Sequence, residues 1–187
     1  AEEVASSGRL VEKPQNVHGG AEVGHLNRDQ LALLRRNFLG FVFQGYNLLA
    51  RTSALDNIEL PLIYQGMASS KRRMLAREAL AKVGLEGRED HHPSELSGGQ
   101  QQRVAIARAI VTNPDVILAD EPTGNLDTAR SHEIMDLLTG LNREDGITIL
   151  MVTHEPDMAD YADRIIHFLD GRIESDKVNR KAAADVV

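Results

Sequence analysis

The chain has 187 residues, of which 42% are hydrophobic, so we expect a folded domain with its own core rather than a disordered segment. Its formal net charge of −7 disfavours a general nucleic-acid binder, and the absence of cysteine excludes disulfides and thiolate chemistry. No apolar run approaches the roughly 20 residues that span a bilayer, and the acidic, polar start is unlike a secretory signal, so we expect a soluble protein that meets a membrane only through a partner.

The first 27 residues show no sustained hydrophobic period, and we expect irregular structure or short strands there. Asn27–Asn37 predicts the first helix, because a capping residue is followed by apolar side chains on one helical face. Phe38–Gln44 is a short apolar run that predicts a buried strand ending at Gln44.

The next part of the chain has an almost entirely helical pattern. Thr52–Leu62 predicts a helix that ends near Pro61, because proline breaks the backbone hydrogen-bond ladder. Residues 69–83 predict a second helix, capped by serine and stopped by Gly84. This block, at about residues 48–97, predicts a helical subdomain inserted into an α/β core.

The second half of the chain alternates apolar runs with amphipathic helices. Ser97 is predicted to cap a helix that runs to about Thr112. The further predicted elements are strands at 115–119, 147–152, 164–169 and 172–175 and helices at 128–142 and 156–161. This alternation favours a mainly parallel sheet covered on both faces. Residues 176–187 are polar and alanine-rich and predict a loose tail, which leaves 1–175 as the folded domain.

Two adjacent carboxylates, Asp120 and Glu121, directly follow the apolar run Val116–Ala119. In an open α/β sheet, ligands gather at the carboxyl ends of the strands. Asp120 is therefore a candidate ligand for Mg²⁺, a cation that prefers hard oxygen donors and keeps much of its hydration. Glu121 is a candidate for polarising a water that attacks a phosphoryl group. The alternative is that these residues only end a strand and begin a turn.

A helix start made of Ser97, Gly98 and Gly99 is the second candidate site. The unpaired N–H groups and partial positive charge of a helix N-terminus suit a phosphate, and glycine lets the backbone approach a ligand closely. Each glycine costs a helix up to about 1 kcal/mol relative to alanine, which favours a functional reason. An ordinary serine cap is the alternative explanation.

His154 and Gln44 each end a predicted strand as well. His154 is a candidate donor to a terminal phosphate or to the attacking water, while a structural role at a strand end is the alternative. Gln44 is a candidate sensor of Mg²⁺ or water, although a single glutamine indicates little by itself.

Taken in order, these features resemble the motifs of ATP-binding-cassette transporter ATPase subunits. The matching segments are LSGGQ at Leu96–Gln100, VILADE at Val116–Glu121, GNLD at Gly124–Asp127, and the single residues His154 and Gln44. Within that family, the segment LGFVFQGYNLLARTSALDNIELPLIYQG is similar to the macrolide-exporter and lipoprotein-release branch.

The resemblance implies a P-loop NTPase fold and Mg²⁺-dependent ATP hydrolysis in a homodimer whose subunits meet head to tail. The residues that it implies for contact with nucleotide across the dimer are Ser97, Gly98, Gly99, Gln100 and Asp127. Glu121, His154 and Gln44 would be catalytic, and Asp120 and Gln44 would serve the metal. It also implies an integral membrane permease partner that docks after Gln44, no nucleic-acid partner, and a cytoplasmic, peripheral position on the inner face of the cell membrane.

One expected piece is missing from this sequence. The family has a phosphate loop, Gly-x-x-x-x-Gly-Lys-Ser/Thr, before the glutamine, and its amides and lysine cradle the phosphates. The chain has five lysines, and none follows a glycine. We expect a fragment of a longer ATPase that lacks its first strands and phosphate loop; a natural or engineered truncation is the alternative.

The missing loop has expected consequences for activity and for the sheet. The chain alone should bind ATP weakly or not at all and should hydrolyse none, and its sheet should have open edges that are prone to pairing. The alternative functions are a non-hydrolysing remnant that acts as an interaction module, and a cassette ATPase without a role in transport.

Overall fold

The computed structural model of the chain describes residues 2–7, 17–18 and 21–179. The strands are β1 Glu2–Ser7, β2 Val17–His18, β3 Ala21–Glu22, β4 Leu39–Phe43, β5 Val116–Asp120, β6 Thr148–Thr153, β7 Arg164–Leu169 and β8 Arg172–Val178. The helices are α1 Arg28–Phe38, α2 Ala54–Tyr64, α3 Ser69–Lys82, α4 Gly98–Ile110, α5 Thr128–Asp145 and α6 Pro156–Ala159, with a 3₁₀ turn at Pro93–Glu95.

Six strands form one sheet in the order β4-β5-β6-β1-β7-β8. The strands β4, β5 and β6 pair in parallel, whereas β1 is antiparallel to both β6 and β7, and β8 is antiparallel to β7. The parallel part with its flanking helices confirms the α/β class. Strand β1 lies between β6 and β7 and pairs its backbone groups with both neighbours. The loss of the first strands of a longer ATPase stays a prediction.

One face of the parallel part of the sheet is fully buried. Its buried residues are Gly40, Val42, Ile117, Ala119, Ile149, Met151 and Thr153, and the residues between them are only half-buried or exposed. Helix α4 packs closely on this face, since a Cβ added to Gly40 would lie 2.6 Å from the carbonyl oxygen of Ala109. The absence of a side chain at residue 40 therefore sets how near α4 comes to the sheet.

The helix α2 differs from its prediction at its C-terminal end. It continues through Pro61 to Tyr64 instead of ending near the proline. Pro61 removes one backbone hydrogen bond, but Ile58 and Leu62 are fully buried in the core, and this burial outweighs the local loss.

Several other boundaries also differ from the sequence prediction. Helix α3 has Ala68 at its N-cap with no side-chain hydrogen bond, so the predicted serine cap is wrong. Helix α5 extends to Asp145, and Gly146 ends it with a φ of 69°. Strand β8 reaches Val178 because it pairs along β7, so the predicted tail begins too early, and residues 180–187 lie outside the described part.

The described chain between β4 and α4 is helical, with α2, α3 and the 3₁₀ turn in this segment. Buried Glu59 of α2 joins the two helices by accepting a hydrogen bond from Nε of Arg72 at 3.1 Å. Side chains of both helices belong to the same apolar cluster as the buried sheet face. The subdomain boundary at about 48–97 stays a prediction. Among the described residues, no helix is both long enough and apolar enough to cross a membrane.

Candidate active site

Three parallel strands end at the same edge of the sheet. In the register of β4, β5 and β6, Phe43 lies opposite Asp120, which in turn lies opposite Val152. The residues that follow these ends therefore come together, as expected for strands that run in the same direction. The predicted site residues gathered at this edge are Gln44, Asp120, Glu121 and His154.

Glu121 has an unusual backbone conformation at this edge. Its φ is 45°, in the left-handed region, and its N–H donates to the carbonyl oxygen of Val152 at 2.9 Å. A residue with a side chain held in this region costs about 1–3 kcal/mol, and such strain is concentrated at functional sites. The hydrogen bond fixes the backbone of Glu121 against the end of β6.

The carboxylate of Glu121 accepts hydrogen bonds from the end of β6. Its Oε1 lies 2.6 Å from Nδ1 of His154 and 3.1 Å from the backbone nitrogen of the same residue. The hydroxyl of Thr153 donates to Oε2 at 3.3 Å. The Glu121 side chain is only 15% exposed and the His154 side chain is 67% exposed, so the histidine is the member of the pair that a ligand reaches first.

The hydrogen bond from the imidazole to Glu121, followed by the negative charge of that carboxylate, raises the pKa of His154 from its ordinary value. The carboxylate thus favours the imidazolium form. A protonated, exposed imidazole beside an acceptor carboxylate suits contact with an anionic oxygen, such as that of a phosphate.

Gln44 and Asp120 supply oxygen donors at the same edge. The Gln44 side chain lies on Gly124, because a Cβ added there would be 2.6 Å from Nε2 of Gln44, and the Gln44 carbonyl oxygen accepts from Nδ2 of Asn125 at 2.9 Å. Asp120 is exposed at the last position of β5. A carboxylate and an amide oxygen are the hard donors that Mg²⁺ prefers.

The described residues contain no cluster of three or more histidine, aspartate or glutamate side chains that could hold a metal ion by themselves. A site with one or two protein donors fits Mg²⁺, which usually keeps several waters and shares the oxygens of substrate phosphates. The donor set at Asp120 and Gln44 is consistent with that manner of binding.

The start of α4 is a capping box. The Ser97 hydroxyl accepts from the backbone nitrogen of Gln100 at 3.3 Å, and Oε1 of Gln100 accepts from the backbone nitrogen of Ser97 at 2.9 Å. The predicted serine cap is therefore present. Within the described part of the chain, no hydrogen bond joins this helix start to Asp120, Glu121 or His154 of the same chain.

The two glycines at this helix start have different surroundings. A Cβ added to Gly98 would lie 2.8 Å from the hydroxyl oxygen of Tyr46 and 3.4 Å from Cδ2 of Leu126, so a side chain here would have to displace the Tyr46 ring. A Cβ added to Gly99 would make only ordinary contacts, the nearest at 3.7 Å from Cδ of Arg130. The tight position is therefore Gly98.

Asp127, also predicted as a nucleotide contact, lies at the N-cap of α5. Its Oδ1 accepts from the backbone nitrogen of Arg130 at 3.0 Å, and its carbonyl oxygen accepts from the Ser131 hydroxyl at 3.0 Å. The side chain is exposed, so capping leaves one side of the carboxylate open to solvent.

Sequence reasoning missed two residues that bind the motifs together. Gln102 is fully buried, and its Nε2 donates to the Pro122 carbonyl oxygen at 2.6 Å, which ties α4 to the turn after Glu121. Arg108 donates to the carbonyl oxygens of Tyr46 and Asn47 at 2.8 and 2.6 Å. For Arg108 the available signal was a charged side chain inside the apolar stretch Val104–Ile110, whereas Gln102 lies in the polar run Gln100–Arg103 and gave no such signal.

A groove of about 540 Å³ lies beside β4. Its apolar walls include Phe41, Phe43, Leu60, Pro61 and Tyr64. The rings of the two phenylalanines stack with centroids 6.1 Å apart, and the tyrosine side of the groove is open, since Tyr64 is 72% exposed. Arg35 and Arg36 add positive charge at the rim.

The chain is similar to known proteins over most of its length. Residues 6–124 match the family model described as ABC transporter. The chain is 52% identical over 163 residues to the macrolide export ATP-binding/permease protein MacB of Chlorobaculum tepidum. This alignment covers 87% of this chain and 25% of that protein. It is 52% identical over 157 residues to ABC transporter H family member 2 of Dictyostelium discoideum, covering 83% of this chain and 31% of that protein.

The chain thus spans about a quarter to a third of the length of these curated relatives. Among solved structures, it resembles the ATP-binding cassette MJ0796 in a dimeric, post-hydrolysis state bound to ADP and Pi. The TM-score is 0.76 and the identity 45%, with 87% of this chain and 72% of that chain covered. The predicted family and fold are confirmed: the chain belongs to the ABC transporter family and has the fold of its ATP-binding cassette.

Proposed function

We propose that the chain is the ATP-binding and ATP-hydrolysing part of a membrane exporter. The observation that carries this proposal is the strained Glu121, whose carboxylate is held by His154 at the shared end of two parallel strands. The relatives named as export ATP-binding/permease proteins and the solved relative with bound ADP and Pi support it.

In this proposal, each residue of the strand edge has a separate role. Asp120 and Gln44 would hold Mg²⁺, which when bound offsets the negative charge of the phosphates. Glu121 accepts a proton from the attacking water and polarises it. His154 fixes the orientation of the Glu121 carboxylate and donates to an oxygen of the terminal phosphate.

The helix start would serve a second copy of the chain. The nucleotide held at the strand edge of the partner would face five residues of this chain, namely Ser97, Gly98, Gly99, Gln100 and Asp127. Their lack of hydrogen bonds to Glu121 and His154 of their own chain is compatible with this arrangement. The dimeric state of the solved relative supports a pair of copies as the working unit.

The groove beside β4 is our candidate surface for the permease. Its open aromatic wall suits an apolar helix, and Arg35 and Arg36 suit acidic residues near that helix. The predicted helical segment at about 48–97 contributes one wall through α2. Docking there would keep the chain on the cytoplasmic face of the membrane, in an exporter or a lipoprotein-release system.

The test is ATP turnover by the full-length protein. Phosphate release with ATP and Mg²⁺ should fall to background in Glu121→Gln, and this variant should accumulate as an ATP-bound dimer in sedimentation analysis. Glu144→Gln is the control, because Glu144 is exposed on α5 away from the strand edge. A Glu121→Gln protein that hydrolyses ATP at the wild-type rate, or stays monomeric with ATP, would contradict the proposal.

A non-hydrolysing role for this chain is the second candidate. It is favoured by the sequence itself, in which none of the five lysines follows a glycine. The same assay on the 187-residue chain separates the hydrolysing from the non-hydrolysing function. If this chain releases more phosphate than its own Glu121→Gln variant, the non-hydrolysing function is refuted. Co-purification with an integral membrane subunit would argue against a cassette ATPase that has no role in transport.

A further inference from the structure

The turn that follows Gln44 has a conformation that needs outside support. Tyr46 and Asn47 have φ values of 61° and 50°, so two consecutive residues with side chains occupy the left-handed region. Asparagine tolerates this region, but a bulky residue such as tyrosine rarely adopts it. Such a backbone persists only where the surrounding structure holds it.

Arg108, near the end of α4, provides that support. Its Nη2 donates to the Tyr46 carbonyl oxygen at 2.8 Å, and its Nη1 donates to the Asn47 carbonyl oxygen at 2.6 Å. The planar fork of a guanidinium presents two nitrogens in a fixed geometry to two neighbouring acceptors, whereas an ammonium has one nitrogen on a flexible stem and no fixed fork. The side chain therefore fixes the direction of both carbonyls in the turn.

The backbone of this turn directs the Tyr46 ring toward the N-terminal end of α4. The Tyr46 hydroxyl oxygen would lie 2.8 Å from a Cβ at Gly98, the first residue of α4. Burial raises the pKa of the Tyr46 phenol, in agreement with a ring packed against protein. The turn formed by Tyr46 and Asn47 therefore contacts both ends of α4. Its carbonyl oxygens contact Arg108 near the C-terminal end, and the Tyr46 ring contacts Gly98 at the N-terminal end.

We propose that Arg108 is a positioning residue for the first turn of α4. By donating hydrogen bonds to the carbonyl oxygens of Tyr46 and Asn47, it holds the Tyr46 ring against Gly98. This contact fixes the backbone of Gly98, which would face a nucleotide. The inference rests on the proposed function only in what Gly98 would contact. The contact itself can be measured without nucleotide.

The chain offers a direct spectroscopic test, because it has only three tyrosines. The 187-residue chain is labelled with fluorotyrosine and with ¹⁵N-glycine, and the resonances are assigned with Tyr46→Phe and Gly98→Ala. In Arg108→Gln, the Tyr46 fluorine resonance should move toward its position in the unfolded chain, and the Gly98 amide resonance should shift. The resonance of Tyr161, whose hydroxyl pairs with His132 away from the turn, should stay in place and report an intact fold.

Arg103→Gln is the matched control on the same helix. Arg103 bonds the Val83 carbonyl oxygen and Glu133, away from the turn, so this variant should leave the Tyr46 and Gly98 resonances unchanged. Arg108→Lys keeps the charge but not the fork and should shift both resonances in the same direction as Arg108→Gln. If Arg108→Gln does not fold, Arg108→Lys alone tests whether Arg108 positions the first turn of α4.

The inference is overturned if a folded Arg108 variant has wild-type Tyr46 and Gly98 resonances, or if Arg103→Gln moves them equally. The measurement needs no ATP. Failure of the full-length protein to hydrolyse ATP would therefore remove the proposed function but would not decide whether Arg108 positions the helix start.

Discussion

Nδ1 of His154 lies 2.6 Å from Oε1 of Glu121, and this contact joins the ends of two neighbouring parallel strands. The glutamate is in the left-handed region, so its carboxylate leaves the line of β5 and meets residues at the end of β6. One hydrogen-bonded pair therefore brings together two segments that lie more than thirty residues apart in the sequence.

The first prediction concerns the titration of His154. Glu121 raises its pKa, so Glu121→Gln should lower that pKa toward the ordinary value of 6.5. Because the folded-state pKa is the higher one, the pair stabilises the fold below the unfolded pKa and loses this contribution as pH rises through the folded pKa. Imidazole NMR titration measures the shift, and the His132 signal, which belongs to a pair with Tyr161, is the reference. An identical His154 titration in both proteins would contradict the contact.

The second prediction concerns the close packing of α4 on β4. Gly40→Ala should destabilise the chain by about 1–3 kcal/mol, because the new methyl group meets the Ala109 carbonyl oxygen at 2.6 Å and the helix has to move. Urea denaturation gives the free energy of unfolding. Gly45→Ala is the control, since its Cβ finds its nearest atom at 3.6 Å and should change stability by less than about 1 kcal/mol. Equal losses in both variants would argue against this packing.

The third prediction concerns Asn57, which is completely buried in α2. Its Oδ1 accepts from the Leu49 backbone nitrogen at 2.7 Å, and its Nδ2 donates to the Thr52 hydroxyl at 2.8 Å and the Ser53 carbonyl at 2.9 Å. Asn57→Ala should cost about 2–3 kcal/mol in unfolding free energy, because these groups lose their buried partner. Asn37→Ala, at an exposed position, should stay within about 0.5 kcal/mol of wild type. A small effect at residue 57 would indicate that water replaces the amide.

The fourth prediction concerns Gly124 and the position of Gln44. A methyl group at residue 124 would lie 2.6 Å from Nε2 of Gln44, so Gly124→Ala should displace that side chain from the strand edge. In the full-length protein, we expect a higher Mg²⁺ concentration for half-maximal ATP turnover, because one candidate oxygen donor moves away. Gly140→Ala is the control, since nothing lies within 4 Å of its Cβ. Unchanged Mg²⁺ dependence in Gly124→Ala would remove Gln44 from the metal site.

Several structural features were predictable because their causes are local in sequence. The capping boxes at Asn27 and Ser97 depend on residues three positions apart, and the stop at Gly84 depends on its own positive φ. The position of Asp120 at a strand end follows from the apolar run before it. The order of these motifs indicated the family, and the comparisons confirm it.

Other features depend on which distant segments meet, and the sequence alone did not determine them. Strand β1 lies between β6 and β7 because backbone groups of two remote strands pair with it, and α2 passes through Pro61 because its other face is buried. The seating of Tyr46 on Gly98 requires Arg108, which lies 62 residues further along the chain. Hydrophobic periodicity and caps act over a few residues, so they determine where helices and strands form. Long-range pairing and close packing, which only the tertiary structure decides, determine what these elements hold in place.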